Sequence, residues 1–224
     1  MLIERPALIQ RIRPYYGDGL IKVITGLRRS GKSTLLKLIK SDLMQFKGLA
    51  EECFVELNFE DFSLHELSDA RALHEYVLKR KAKVKSPLVL LLDEIQNVNN
   101  WEQCINSLRV QNIGEIFITG SNSKLLSSEL ATALAGRTIE FKVFPFSFKE
   151  FCAYKQKFCE SFNKQELFQE YLIRGGMPGV QQYQDLDAVY PYLRDTFDSI
   201  VIKDVVQRYN IRQVAVLDLS LIHI

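Results

Sequence analysis

GLRRSGKST, residues 26–34, is the stretch whose reading decides the fold. Gly26 and Gly31 frame it, and Lys32, Ser33 and Thr34 follow at once. Upstream, LIKVIT (20–25) is a β-rich apolar run. Downstream, Leu35, Leu36, Ile39, Leu43 and Phe46 recur at helical spacing. The order strand, glycine loop, helix is what a phosphate cradle needs. Glycines let backbone N–H groups converge on phosphate oxygens, and the helix N-terminus adds partial positive charge. Lys32 is placed to reach the outer phosphates, and the Ser33 hydroxyl to hold Mg²⁺. The expected nucleotide contact runs through Gly26, Leu27, Arg28, Arg29, Ser30, Gly31, Lys32, Ser33 and Thr34, with Arg28 and Arg29 read as solvated loop positions. The bland alternative is a basic turn.

PLVLLLDE (87–94) is a continuous apolar run ending in two acids, as suits a strand buried on both faces of a parallel sheet. Asp93 is the candidate second Mg²⁺ ligand, and Glu94 the group that orients or deprotonates an attacking water. Without the cradle, the same acids would be a polar exit from the core. ITGSN (118–122) offers Ser121 and Asn122 as contacts to a γ-phosphate or its water, against a capped turn. Arg137 is a candidate for neutralising transition-state charge, within its own chain or across a subunit boundary, or else a surface residue. Arg174 is a second candidate sensor, although a helix-dipole role explains it equally. KRKAKVK (79–85) reads as a solvated helix end, with a nucleic-acid contact as the alternative. The histidines are scattered, so no His-based metal site is expected.

Strands are expected at 20–25, 53–59, 87–94, 115–121 and 138–144, with helices at 2–13, 33–46, from the Ser63–Glu66 capping box to about 81, and after Asn100. Strands alternating with helices imply a parallel sheet covered on both sides. Beyond Pro145 the pattern turns helical, at about 147–159 behind a Ser147–Glu150 box, then 164–174, 187–200 and 202–209.

Composition adds exclusions. The chain has 224 residues, 47% hydrophobic and 25% charged, and its net charge of +2 points to no particular partner. Cys53, Cys104, Cys152 and Cys159 form no C-x-x-C pair and read as buried thiols. The N-terminus has charges inside its apolar stretch, unlike a signal peptide, and no apolar run approaches the roughly 20 residues of a membrane span. A cytoplasmic protein is expected. The final LSLIHI (219–224) matches the translation of a widely used sequencing adapter, so a natural chain continuing beyond Asp218 is expected, against a genuine apolar strand.

GLRRSGKSTLL, LLLDEIQNVNNWEQCINSLR, ITGSNSKLLSSELATALAGRTIEFKVFPFSFKEF and YLIRGGMPG together resemble the AAA-family ATP-binding proteins of bacteria and archaea that carry a C-terminal domain of unknown function. The resemblance covers about residues 10 to 212. It implies an α/β P-loop NTPase core of AAA type, with a five-stranded parallel sheet flanked by helices and a small helical lid region after it. It also implies ATP as the base-specific choice, a loop strand beside the sensor strand, and IVIKDVVQRY (200–209) leading into a further domain. The expected division is a lead-in over 1–19, the core over 20–146, a lid region over 147–218 and a tail over 219–224. The leading expectation is an ATPase using ATP and Mg²⁺ to drive a conformational cycle. A nucleotide-gated switch is the alternative, with a small-molecule kinase behind it. A protein partner, homo-oligomer or nucleic-acid partner stays open.

Overall fold

Buried at every position, Leu88–Asp93 forms strand β3 of a five-stranded sheet. The computed structural model describes residues 3–120, 134–158, 163–200 and Val206. The chain divides into two compact units, Met1–Gly26 with Gly31–Val143, and Leu27–Ser30 with Phe144–Ile224.

In the first unit, helix α1 (Pro6–Ile12) precedes β1 (Ile21–Gly26), α2 (Lys32–Lys47), β2 (Phe54–Asn58), α3 (Ala70–Lys81), β3, α4 (Trp101–Val110), β4 (Gly114–Thr119) and β5 (Thr138–Val143). Strand order is β2-β3-β4-β1-β5, and every pairing is parallel. Alternation along β3 explains both faces. Leu88, Leu90 and Leu92 join Leu73 and Val77 of α3 and Trp101, Ile105 and Leu108 of α4. Val89 and Leu91 join Ile9 and Ile12 of α1 and Leu35, Ile39 and Leu43 of α2. Two apolar cores therefore sandwich the sheet, as a period of two on buried strands requires.

α1 is tied to α2 by polar contacts as well. The Arg13 guanidinium donates through Nη2 to Asp42 Oδ1 at 2.6 Å, and the Tyr16 hydroxyl donates to Asp42 Oδ2 at 3.1 Å. Burial, then the Asp42 charge, pushes the Tyr16 phenol well above its ordinary range. Arg13, one of the basic residues near the N-terminus, is thus engaged in packing.

The helix expected from Ser63 starts later. Residues Phe62–Leu67 form a short 3-10 segment, with the Asp61 side chain accepting the Ser63 N–H. That bond holds the Asp61 carboxyl below its usual range. α3 opens behind Asp69, which accepts the Arg71 N–H at 2.9 Å. Two aspartates took the capping role because a carboxylate is at least as good an N-cap acceptor as serine. Asn100 stands at the N-cap of α4 but makes no side-chain cap; it adopts the left-handed φ of 55° that asparagine tolerates.

The second unit contains α5 (Phe148–Gln156), α6 (Lys164–Arg174) and α7 (Leu186–Ile200). The Ser147–Glu150 capping box forms as expected. α6 stops at Gly175, whose φ of 68° suits glycine. The Tyr171 hydroxyl donates to the Phe146 carbonyl at 2.7 Å, closing α6 onto the segment before α5. Among the described residues, no helix is long and apolar enough to cross a membrane. The helix expected at 202–209 and the LSLIHI tail lie outside the described residues, Val206 apart.

Candidate functional site

β1 ends at Gly26 and α2 begins at Lys32, so the glycine loop joins a buried strand to a helix N-terminus, as its spacing predicts. Gly31 is the N-cap of α2, with a φ of 99°, and no side chain caps the helix. A Cβ added at Gly31 would meet nothing within 4 Å. Glycine is demanded here by backbone conformation, and the space beside it stays open. An uncapped helix of 16 residues behind open space suits an anion. Lys32 is 5% exposed, and its ammonium donates to the Gly26 carbonyl at 3.2 Å.

The two acids end β3 beside this loop. Glu94 Oε1 stands 3.9 Å from Lys32 Nζ, and Glu94 Oε2 accepts from Gln96 Nε2 at 2.5 Å. Glu94 takes a φ of 54°, a left-handed backbone uncommon outside glycine and asparagine. Thr119, fully buried at the end of β4, explains how that turn is held. Its hydroxyl donates to Asp93 Oδ1 and accepts the Glu94 N–H at 3.0 Å. Thr119 was missed from the sequence. The signal was available in the register, because Leu92 pairs with Ile118 and one further step sets Asp93 beside Thr119.

β4 lies between β3 and β1, as the resemblance implies. Ser121 and Asn122, expected to extend this edge, lie outside the described residues. Lys32, Asp93 and Glu94 are brought together. Ser33 and Thr34 sit in the first turn of α2, Ser33 exposed. Arg137 is not brought to this group. It precedes Thr138, which pairs with Ile21 at the opposite end of β1 from Gly26. Five residues of strand separate those ends, roughly 17 Å at the usual rise. Its Nη1 donates to Asn106 Oδ1 at 3.0 Å. A role for Arg137 at the phosphates of its own chain is therefore corrected: β5 runs parallel to β1, so the residue before it faces the wrong end. Arg174, the other candidate sensor, donates to the carbonyls of Tyr183 and Gln184 and pairs with Glu170 at 3.0 Å, all inside the second unit.

A family model described as AAA domain matches residues 18–152. The chain belongs to the AAA domain family. An uncharacterised protein of Haemophilus influenzae is 38% identical over 216 residues, covering 96% of this chain and 54% of that protein. One from Methanocaldococcus jannaschii is 37% identical over 201 residues, covering 87% and 44%. The chain thus spans about half the length of the curated relatives it matches. Among solved structures, AMPPCP-bound DnaA from Aquifex aeolicus has a TM-score of 0.53 at 16% identity, with 92% of this chain and 70% of that one covered. A signal-transduction ATPase with a tetratricopeptide-repeat sensor from Pyrococcus horikoshii has a TM-score of 0.50 at 13% identity, covering 86% and 32%. At these identities the likeness is one of fold.

The AAA chain's residues suit a nucleotide with Mg²⁺. The open space at Gly31 and the uncapped N-terminus of α2 would accept phosphate oxygens, and Lys32 would supply charge. A serine hydroxyl and a carboxylate are hard oxygen donors, of the kind Mg²⁺ takes alongside substrate phosphates.

Proposed function

We propose that this AAA protein binds ATP with Mg²⁺ and hydrolyses it, using the cycle to change conformation. The observation that carries the reading is the gathering of Lys32, Asp93 and Glu94 at one edge of the sheet, with Thr119 holding both acids. Lys32 would hold the outer phosphates, and Ser33 and Asp93 would hold Mg²⁺. The metal, when bound, neutralises charge on the phosphate oxygens.

Glu94 acts on the water. Its carboxylate takes a proton as the water oxygen forms a bond to the γ-phosphorus. The bond from that phosphorus to the bridging oxygen breaks, and its electron pair stays on the departing ADP. Lys32 stabilises charge as it develops, which is where a preorganised cation contributes most. ATP, rather than GTP, rests on the family. The load moved by such a cycle would be a protein partner, a second copy or nucleic acid.

One observation favours a second reading, a nucleotide-gated switch with little turnover. The Glu94 carboxylate is engaged by Gln96 and faces Lys32, so those contacts must loosen before it can orient a water. Steady-state phosphate release from Mg·ATP, with and without duplex DNA, separates the readings. Turnover by the wild type, with Glu94→Gln still binding ATP but slowed on the order of 100-fold or more, supports hydrolysis. ATP binding without phosphate release in either form supports the switch. Unchanged turnover in Glu94→Gln would remove Glu94 from the mechanism.

A further inference from the structure

Lys79, Arg80, Lys81, Lys83, Lys85 and Arg109 lie at the ends of α3 and α4 and in the loop that follows α3. The stretches that carry them, 76–92 and 103–114, contain no acidic residue, although the whole chain has a net charge of only +2. Arg13, Lys22, Lys40, Arg71 and Lys155 each face a carboxylate, whereas among the described residues none of these six does. The Nε atoms of Arg80 and Arg109 are buried and find no hydrogen-bond partner among the described residues. A helix C-terminus attracts cations, which accounts for Lys79, Arg80, Lys81 and Arg109. It does not account for Lys83 and Lys85, which lie beyond α3 and are exposed.

The fold brings the two stretches together. α3 leads into β3 and α4 into β4, and both helices pack on one face of the sheet. Leu88 opens β3 and pairs with Gly114, which opens β4. The Leu88 N–H donates to the Ile113 carbonyl at 3.0 Å, and a Cβ on Gly114 would fall 1.9 Å from the Leu88 carbonyl oxygen. The loops before the two strands are therefore fixed side by side. A cavity of about 370 Å³ opens beside them, its lining including Pro87, Asn112 and Lys47 from the end of α2. Two carboxylates at this end, Asp18 and Glu115, are both taken by Lys22. A basic rim without counter-ions thus runs across the foot of the sheet.

We infer that this foot is a docking surface for the phosphate backbone of duplex DNA. Charge complementarity selects a polyanion, and lysine and arginine contacts to phosphate carry no base information, so binding is independent of sequence. A duplex is favoured over a single strand because residues 76–92 and 103–114 hold one aromatic ring, Tyr76. That ring packs against the core, so unpaired bases find no stacking platform. Leu88 and Asp93 stand at opposite ends of β3, roughly 17 Å apart at the usual rise. The docking surface therefore goes beyond the nucleotide reading and stands without it.

The test is fluorescence anisotropy of a labelled mixed-sequence duplex of about 20 base pairs, titrated with the full chain in the absence of nucleotide over a range of salt. With four to six phosphates met, log affinity should fall against log salt with a slope of roughly −4 to −5. Lys79→Gln/Lys83→Gln/Lys85→Gln should weaken binding at least about ten-fold near 50 mM salt and flatten the slope by about 3. Lys142→Gln/Lys149→Gln/Lys157→Gln removes the same charge from exposed lysines elsewhere and should stay within about two-fold of wild type. Absence of duplex binding by the wild type, or equal losses in the two triple variants, would overturn the assignment. Should the first triple variant fail to fold, Lys83→Gln/Lys85→Gln leaves α3 whole and decides alone, through a slope flattened by about 2.

Two further arms address other polyanions. Tighter binding of the same sequence as a single strand would overturn the choice of duplex. Binding to phosphatidylserine–phosphatidylcholine vesicles without binding to the duplex would assign the rim to a lipid surface instead. ADP titrations of the wild type and the first triple variant should agree, because the substitutions lie away from the glycine loop. If neither binds ADP while the duplex result holds, the nucleotide reading falls and the docking surface remains.

Discussion

Lys22 and Lys32 stand at opposite ends of β1, both buried, and their surroundings differ. Lys22 is 1% exposed, and its ammonium lies 2.8 Å from both Asp18 Oδ1 and Glu115 Oε2, over the Phe117 ring. Two carboxylates close it. Lys32 donates to a backbone carbonyl, and its carboxylate neighbour Glu94 stands back at 3.9 Å. Burial of a lysine is thus no mark of a site by itself. What separates the two is the setting: one ammonium is locked between two carboxylates, and the other lies at the glycine loop, where on the proposed reading a phosphate becomes its counter-ion. The loop before β1 and the start of β4 build the first, and the glycine loop and the end of β3 build the second.

The comparison breaks most visibly at its structural end. Lys22→Met leaves Asp18 and Glu115 without their cation, and removing one partner of a buried ion pair costs about 3 kcal/mol. Urea unfolding should show that loss, roughly 100-fold in the unfolding constant, with ADP affinity unchanged. A normal urea midpoint would mean the triad is ornamental. Thr119→Val sharpens the other end. It removes the hydroxyl that bonds Asp93 and receives the Glu94 N–H, so phosphate release should fall about ten-fold while ATP affinity shifts little. Equal effects on binding and turnover would place Thr119 in ground-state contacts instead.

The smallest effect concerns the core behind both ends. Burial, with a lesser push from the Asp69 charge, raises the Cys104 thiol from 9.0 to about 12. The folded state holds its proton longer than the unfolded chain, so stability falls as pH rises through this window. Below it, Cys104 should resist alkylation at pH 8 until urea is added. Ready labelling of the folded protein would contradict its burial.

Most of the sheet unit was legible from sequence because its signals are local. LVLLLD reads as a central strand through its unbroken apolar run, and GLRRSGKS reads through glycines and a lysine at fixed spacing. Lys32, Asp93 and Glu94 could be located from sequence because each terminates, follows or begins an element. What escaped depended on pairing between elements. Thr119 emerges only from the β3–β4 register, and the position of Arg137 only from the pairing of β5 with β1, which sets Thr138 beside Ile21. The late start of α3 shows the reverse failing, a valid local motif at Ser63 overridden by two nearby aspartates.

The most direct trial of this account is an ATP titration of the wild type and Lys32→Ala, with an unfolding curve for each. The prediction is saturable binding by the wild type, a loss on the order of 100-fold in Lys32→Ala, and coincident unfolding curves. ATP binding by Lys32→Ala at wild-type affinity would contradict the assignment of this edge of the sheet as the nucleotide site.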